Sequence, residues 1–266
     1  MNDIFDIGGR VAVVSGAGGG LGTAICAGLA AFGADVALID VDRASLEASA
    51  AGVEGHGRRA LAIEADASSE VEVAAAFARV DETFGRVDIL VNLAYVPLFA
   101  RPEELSLADW ERAFRINVTS YFLCSKQSGT RMIAQGRGGA IVNMCSIAGT
   151  SAVGRGSLPY SVSKGGIVML TKELAVEWAR HGIRVNAIQP CQFLTPGLRH
   201  RLDDPALGHI KDTFLSGIPL DRLGEPHEMV GPVIFLVSDA AAMVTGVLLP
   251  VDGGNLALNA GGTKDG

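Results

Sequence analysis

The sequence predicts an α/β protein, a doubly wound sheet of about seven parallel strands with helices on both faces. Three observations carry that expectation. Short β-branched runs recur along the 266 residues, each followed by a longer segment of helical periodicity. The runs are apolar on both faces instead of alternating, as a sheet covered on both sides requires. Composition is even throughout, 48% hydrophobic and 19% charged, with no Pro/Ser-rich linker and no internal repeat. Residues 1–266 therefore read as one domain.

The elements follow in order. RVAVVSG (10–16) is the first strand, and apolar spacing from Leu21 to Phe32 makes the first helix. ADVALID (34–40) precedes a helix at 43–51, and LAIEAD (61–66) precedes one at 69–84. VDILVNLA (87–94) leads to a single long helix at 107–135, and AIVNMCS (140–146) to a second at 160–181. IRVNAIQP (183–190) is the sixth strand; a helix at 227–239 and the strand GVLLPV (246–251) close the series. Residues 261–266 read as a frayed tail.

A net charge of −7 offers no broad basic surface, which argues against nucleic acid and anionic membranes as partners. The N-terminus MNDIFDIGGR lacks the apolar run of a signal peptide. The greasiest stretch, Gly231 to Val251, is broken by Ser238, Asp239 and Gly246. An aspartate at mid-membrane costs about 2.5–3.5 kcal/mol, so this stretch reads as a core helix and a buried strand. Cys26, Cys124, Cys145 and Cys191 form no CxxC pair, and the five histidines show no ligand spacing. We expect no disulfide framework, no metal and a cytoplasmic location.

Ser15-Gly16-Ala17-Gly18-Gly19-Gly20-Leu21-Gly22 joins the first strand to the first helix. Glycines there permit a tight turn and let backbone approach a pyrophosphate, which the helix N-terminus then stabilises. Asp40 ends the second strand 18 residues beyond Gly22, close to the spacing of an acid that binds the adenosine ribose. Capping the helix at 43–51 is its structural alternative. A carboxylate there accepts from ribose hydroxyls and repels a 2′-phosphate, and Arg43 is the sole nearby cation. The expected cofactor is NAD. Tyr160 and Lys164 stand at i and i+4 on one helix face, where an ammonium would favour the phenolate of a proton-transferring tyrosine.

The glycine loop, Asp40, Asp66, Asn117, Ser146, Y-x-x-x-K and the closing VDGG occur in the order of the short-chain dehydrogenase/reductase family, which this chain resembles from Arg10 to Gly254. Within it, the chain resembles the gluconate 5-dehydrogenase and 3-oxoacyl reductase-like members. The resemblance implies a Rossmann fold and an NAD-dependent enzyme interconverting a secondary alcohol and its ketone, on a sugar, sugar acid or polyol. It implies Tyr160 as general acid/base, Lys164 as the residue that tunes it and holds the nicotinamide ribose, and Ser146 as the substrate-oxygen partner. Asn117 would anchor the relay water. Gly16, Gly19, Gly20, Leu21, Gly22 and Asp40 would hold the dinucleotide, with Asp66 and Ala67 at adenine, Asn92 and Ala94 in the cleft, and Pro190 and Thr195 near the carboxamide. A 3-oxoacyl thioester reductase and a non-catalytic NAD-binding sensor stay open as alternatives.

Three departures from the family pattern bear on the pocket. Tyr95 and Cys191 replace usual glycines, and Ser146 precedes Tyr160 by 14 residues, one more than the commonest spacing, so that loop is expected to bulge. Segment 192–218, where the family places its lid, gathers Arg199, His200, Arg201, His209 and Lys211, with Arg155 nearby. Together with Tyr95, Cys191 and Gln192, these cations would line the substrate site and orient an anion; a solvated lid whose charge Asp203, Asp204 and Asp212 balance is the alternative reading. Family members also pair their long helices across a two-fold axis. On that basis the stripes Phe114/Val118/Phe122 and Ile167/Leu170/Leu174/Trp178 imply a homotetramer.

Overall fold

The computed structural model describes residues 4–204 and 208–258, with the side chains of 208–210 left aside. Seven parallel strands form one sheet in the order β3-β2-β1-β4-β5-β6-β7. They are β1 (Val11–Ser15), β2 (Asp35–Asp40), β3 (Ala60–Glu64), β4 (Ile89–Asn92), β5 (Gly139–Met144), β6 (Ile183–Pro190) and β7 (Leu248–Val251). Strand order reverses between β1 and β4, and that is where an open α/β sheet leaves a crevice beyond its strand ends. The tail at 261–266 and part of the 192–218 segment lie outside the described residues.

Alternate residues of the central strands feed two cores. On one face Val14, Leu38 and Val91 pack with Ile25 and Leu29 of α1 (Gly20–Ala31), Leu46 of α2 (Arg43–Glu54) and Val233 of α9 (Val230–Val237). On the other, Val13, Ile39 and Leu90 meet Phe77 of α3 (Glu70–Phe84) and Leu123 of α5 (Ser120–Gln135). Both faces are covered, so the strands have no polar side to display. That is why their sequences do not alternate.

Two expectations need correction. The helix expected at 107–135 is three pieces: α4 (Leu107–Phe114), a π-helical segment (Arg115–Thr119) and α5. The stripe Ile167, Leu170, Leu174 and Trp178 on α6 (Leu158–Trp178) packs inward on the sheet, because half of any such helix must. Of the other expected stripe Phe122 is exposed, and α6 exposes Met169 and Val176 in place of the expected residues.

Candidate active site

The chain leaves β1 through Gly16, whose φ of +75° lies in the left-handed region that favours glycine. A Cβ on Gly16 would sit 2.6 Å from the Ala94 amide nitrogen, and one on Gly22 would strike the Gly16 carbonyl. The loop is therefore pressed against the exit of β4 and against its own helix. Gly19 is the N-cap of α1 and no side chain caps that end, so the first-turn N–H groups of Gly20, Leu21 and Gly22 are free for an anion. Asp40 faces the same loop: its Oδ2 accepts from the Gly18 N–H at 2.9 Å, its Oδ1 from Val41 at 2.8 Å. Asp42, not Asp40, caps α2 by accepting from Ala44 and Ser45. Arg43 is tied to Glu47 at 2.9 Å. Beyond β3, Asp66 accepts from the Ser68 backbone and hydroxyl; against the cost of its burial, these bonds and Arg115 hold its carboxyl below the usual range. Ala67, next to it, is buried. An uncapped helix end, a glycine turn and an acid at the next strand's tip suit a dinucleotide. Thr195 caps α7 (Pro196–Leu202), and its Cβ lies 2.7 Å from where a Cβ on Gly20 would stand. The segment after Pro190, the last residue of β6, thus reaches the phosphate loop.

Tyr160 and Lys164 rise from the first turns of α6, beside the end of β5. Lys164 is 2% exposed; its Nζ donates to the Met144 carbonyl at 2.7 Å and to the Tyr121 hydroxyl at 3.3 Å. Burial pushes its ammonium down to about 8. Burial also pushes the Tyr160 phenol up to about 12, opposed by a hydrogen bond with Ser146. The expected lowering by Lys164 is therefore overturned for the chain by itself. Nζ lies 5.8 Å from the Tyr160 ring centre and spends its bonds elsewhere, while desolvation acts on the phenol in full. Ser146 follows β5 and caps the short turn Ile147–Gly149, its Oγ accepting from the Ala148 N–H at 3.1 Å. Asn117 sits inside the π-helical segment, fully buried. Its Oδ1 accepts from Val96 at 2.7 Å and its Nδ2 donates to the Ser163 hydroxyl at 3.0 Å. The bulge lets one amide tie the exit of β4 to the catalytic turn of α6, a use typical of π-bulges.

Comparison with known proteins agrees with this geometry. Residues 16–255 match the family model described as Enoyl-(Acyl carrier protein) reductase. The D-threitol dehydrogenase of Mycolicibacterium smegmatis is 42% identical over 94% of each chain. The chain belongs to the short-chain dehydrogenase/reductase family. It is an oxidoreductase of that family, acting on CH–OH groups. Two solved family members superpose closely. A gluconate 5-dehydrogenase from Burkholderia cenocepacia, in complex with NADP and tartrate, has a TM-score of 0.87 at 32% identity and covers 96% of this chain and 98% of its own. An NAD+-bound xylitol dehydrogenase has a TM-score of 0.86 at 34% identity, covering 93% and 99%.

Other positions depart from the roles that family resemblance implied. Asn92 does not line the cleft with its side chain. It is fully buried, accepting from Ser15 Oγ at 3.1 Å and donating to Asn143 Oδ1 at 2.9 Å, while Asn143 donates to Thr171 Oγ1 at 3.0 Å. Ala94 is half-buried behind Gly16. Tyr95 is 56% exposed, with its ring edge-on to Tyr160 at 6.5 Å between centroids. Desolvation raises its phenol, and the charge of Arg201 on α7 partly offsets that.

The expected cationic cluster is dispersed. Arg199 pairs with Glu225 at 2.6 Å and Arg155 lies over the Phe214 ring at 5.4 Å. His200 is exposed, and the side chain of His209 lies outside the described residues. Arg155 has a φ of +57° between Gly154 at +65° and Gly156 at +73°; this run of left-handed residues is the expected bulge before Tyr160. Cys191 is half-buried and its thiol is pushed up to about 11 by burial. With Phe193 and Asp252 it lines a cavity of about 220 Å³. Gln192 is half-buried and its carbonyl accepts from the Gly224 N–H. Among the described residues no group of His, Cys, Asp and Glu could hold a metal. Sequence reasoning missed Tyr121 and Ser163, each of which bonds directly to a predicted site residue. Their only signal was position: one turn past Asn117, and one residue before Lys164.

Proposed function

We propose that this enzyme is an NAD-dependent dehydrogenase that interconverts a secondary alcohol and a ketone on a polyol, sugar or sugar acid. The juxtaposition of Tyr160, Ser146, Lys164 and Asn117 beyond the strand ends, next to the glycine loop, carries the reading. Gly16, Gly19, Gly20, Leu21, Gly22, Asp40, Asp66, Ala67 and Thr195 would hold the dinucleotide. Asp40 favours NAD, because a half-buried carboxylate faces the loop and the nearest cation is already paired with Glu47. When bound, an oxidised nicotinamide would supply the acceptor for the carbinol hydrogen. Ser146 Oγ holds the substrate oxygen, and Tyr160 Oη takes its proton in oxidation or returns it in reduction. Lys164 holds an ammonium close by, and Asn117 keeps α6 in register with the exit of β4.

Polyol and sugar-acid relatives support a small hydroxylated substrate over an acyl thioester. A non-catalytic sensor would have no use for the assembled proton-transfer group. Tyr95, edge-on to Tyr160, and Arg201, whose charge acts on Tyr95, are the candidate substrate contacts. Phe122, Met169 and Val176, exposed by 47%, 52% and 78%, support helix pairing in a homotetramer. Free cysteines support a cytoplasmic enzyme, and among the described residues no helix is long and apolar enough to cross a membrane. Tyr160→Phe tests the reading. The variant is expected to lose about 10²–10⁴-fold in kcat while NADH binding, read by fluorescence, stays near wild type. Retention of a tenth of the wild-type kcat would refute the role of Tyr160.

A further inference from the structure

Lys164 is a buried ammonium, and among the described residues no carboxylate is paired with it. Its Nζ reaches two acceptors inside the protein, the Met144 carbonyl at 2.7 Å and the Tyr121 hydroxyl at 3.3 Å. The Tyr121 hydroxyl itself donates to the same carbonyl at 2.9 Å. A phenol has one proton, so with that proton committed to Met144 its lone pairs are left for Lys164. Tyr121 is fully buried on α5, two residues beyond the π-helical segment, whereas Lys164 belongs to α6. The bond therefore comes from a different helix from the one that carries the lysine.

We propose that Tyr121 is a positioning residue, whose hydroxyl holds the Lys164 ammonium charged and aimed at the catalytic turn. This rests on the reading of Lys164 as part of the catalytic group. The surroundings leave no substitute for that hydroxyl. Each of the chain's three tyrosines rings the lysine, with Nζ 5.1 Å from the ring centre of Tyr121, 5.8 Å from Tyr160 and 5.9 Å from Tyr95. The titratable groups facing it are Tyr121 from α5, Tyr160 from α6, Tyr95 beyond β4 and Cys145 beyond β5. Burial raises all four, so at neutral pH all are uncharged. An ammonium among neutral groups depends on oriented dipoles, and two oxygen acceptors provide them. Two donated bonds also leave the third N–H unspent.

Selective ¹³Cε labelling of lysine and an NMR titration of the holoprotein test this without any substrate. The chain has five lysines, and the resonance missing from Lys164→Met identifies the one required. In the chain by itself burial brings Lys164 to about 8, and each variant's midpoint is read against that of wild type. Tyr121→Phe keeps the ring and removes the acceptor, and its midpoint should fall by about one pH unit. Its kcat at pH 7.5, for whichever of D-threitol, xylitol or gluconate wild type oxidises, should fall roughly threefold, as the protonated fraction of Lys164 does. If Tyr121→Phe fails to fold, Tyr121→Gln offers a carbonyl to the same proton and should hold the midpoint within about half a unit. An unmoved Lys164 midpoint in Tyr121→Phe, or a full-unit fall in Tyr121→Gln, overturns the proposal. Should that happen while Tyr160→Phe is inactive, the catalytic reading survives and only the role of Tyr121 falls. An active Tyr160→Phe removes both.

Discussion

Lys164 and Tyr160 are displaced in directions that oppose their charged forms, and the consequence is visible in stability as well as in rate. Lys164 titrates at about 8 in the folded chain against 10.5 when unfolded. Between those values the unfolded chain holds a proton that the folded one has lost, so this group makes stability rise with pH. Below about 8 both states are protonated and the cost of the buried charge is present in full. Lys164→Met should thus be more stable than wild type at pH 7, with the advantage shrinking as pH rises through that window. Urea midpoints at pH 7 and pH 10 check it; an advantage that grew with pH would contradict it. Asp40 is the residue where cofactor choice is tested. Asp40→Ala should weaken NAD and relieve repulsion of NADP, and wild type that prefers NADP in paired kinetics would sink the reading. Chemistry-bearing residues were mostly legible: Tyr160, Lys164, Ser146 and Asn117 converge although they are spread over 48 positions. What sequence could not reveal was how a side chain spends its bonds. Asn92 and Asn143 look alike in a strand whether they face a ligand or each other, and only pairing register decides.

At the scale of elements, the strands were legible because a two-sided core forces β-branched runs, and β6 matches its expected span at both ends. The helix at 107–135 was legible only as helix. A π-bulge adds one residue to a turn, which shifts the apolar phase too little to read from spacing yet turns Asn117 inward. The lid illustrates the converse. Composition gathered its cations, but tertiary pairing separates them: Arg199 braces Glu225, while the charge of Arg201 acts on the Tyr95 phenol. Arg201→Ala should therefore raise KM for gluconate more than tenfold over its effect on xylitol, about 1.4 kcal/mol of discrimination. Arg199→Ala should leave that ratio unchanged. Equal effects from the two variants would return the lid to the status of a charged surface.

For the whole molecule, the exposed Phe122, Met169 and Val176 make assembly measurable. Light scattering at micromolar concentration is expected to give about four times the 27.5 kDa chain mass. A species of one chain mass would refute it, and Met169→Glu with Val176→Glu should split the assembly. Inside each chain, the asparagine ladder has a consequence of another kind. Apolar parallel strands are nearly interchangeable as hydrocarbon, so burial alone does not say which should lie beside which. Ser15, Asn92 and Asn143 are direct register partners on β1, β4 and β5. Each donates onward, Ser15 to Asn92, Asn92 to Asn143, Asn143 to Thr171, and Thr171 to the Ile167 carbonyl. The relay runs one way, like a sentence with a fixed word order. Slipping β4 by one residue, or inserting a different strand beside β1, would strand a donor and an acceptor at once in a place without water. The ladder thus acts as an address label written across the middle of the sheet, and it is written where the strand order reverses and the crevice opens.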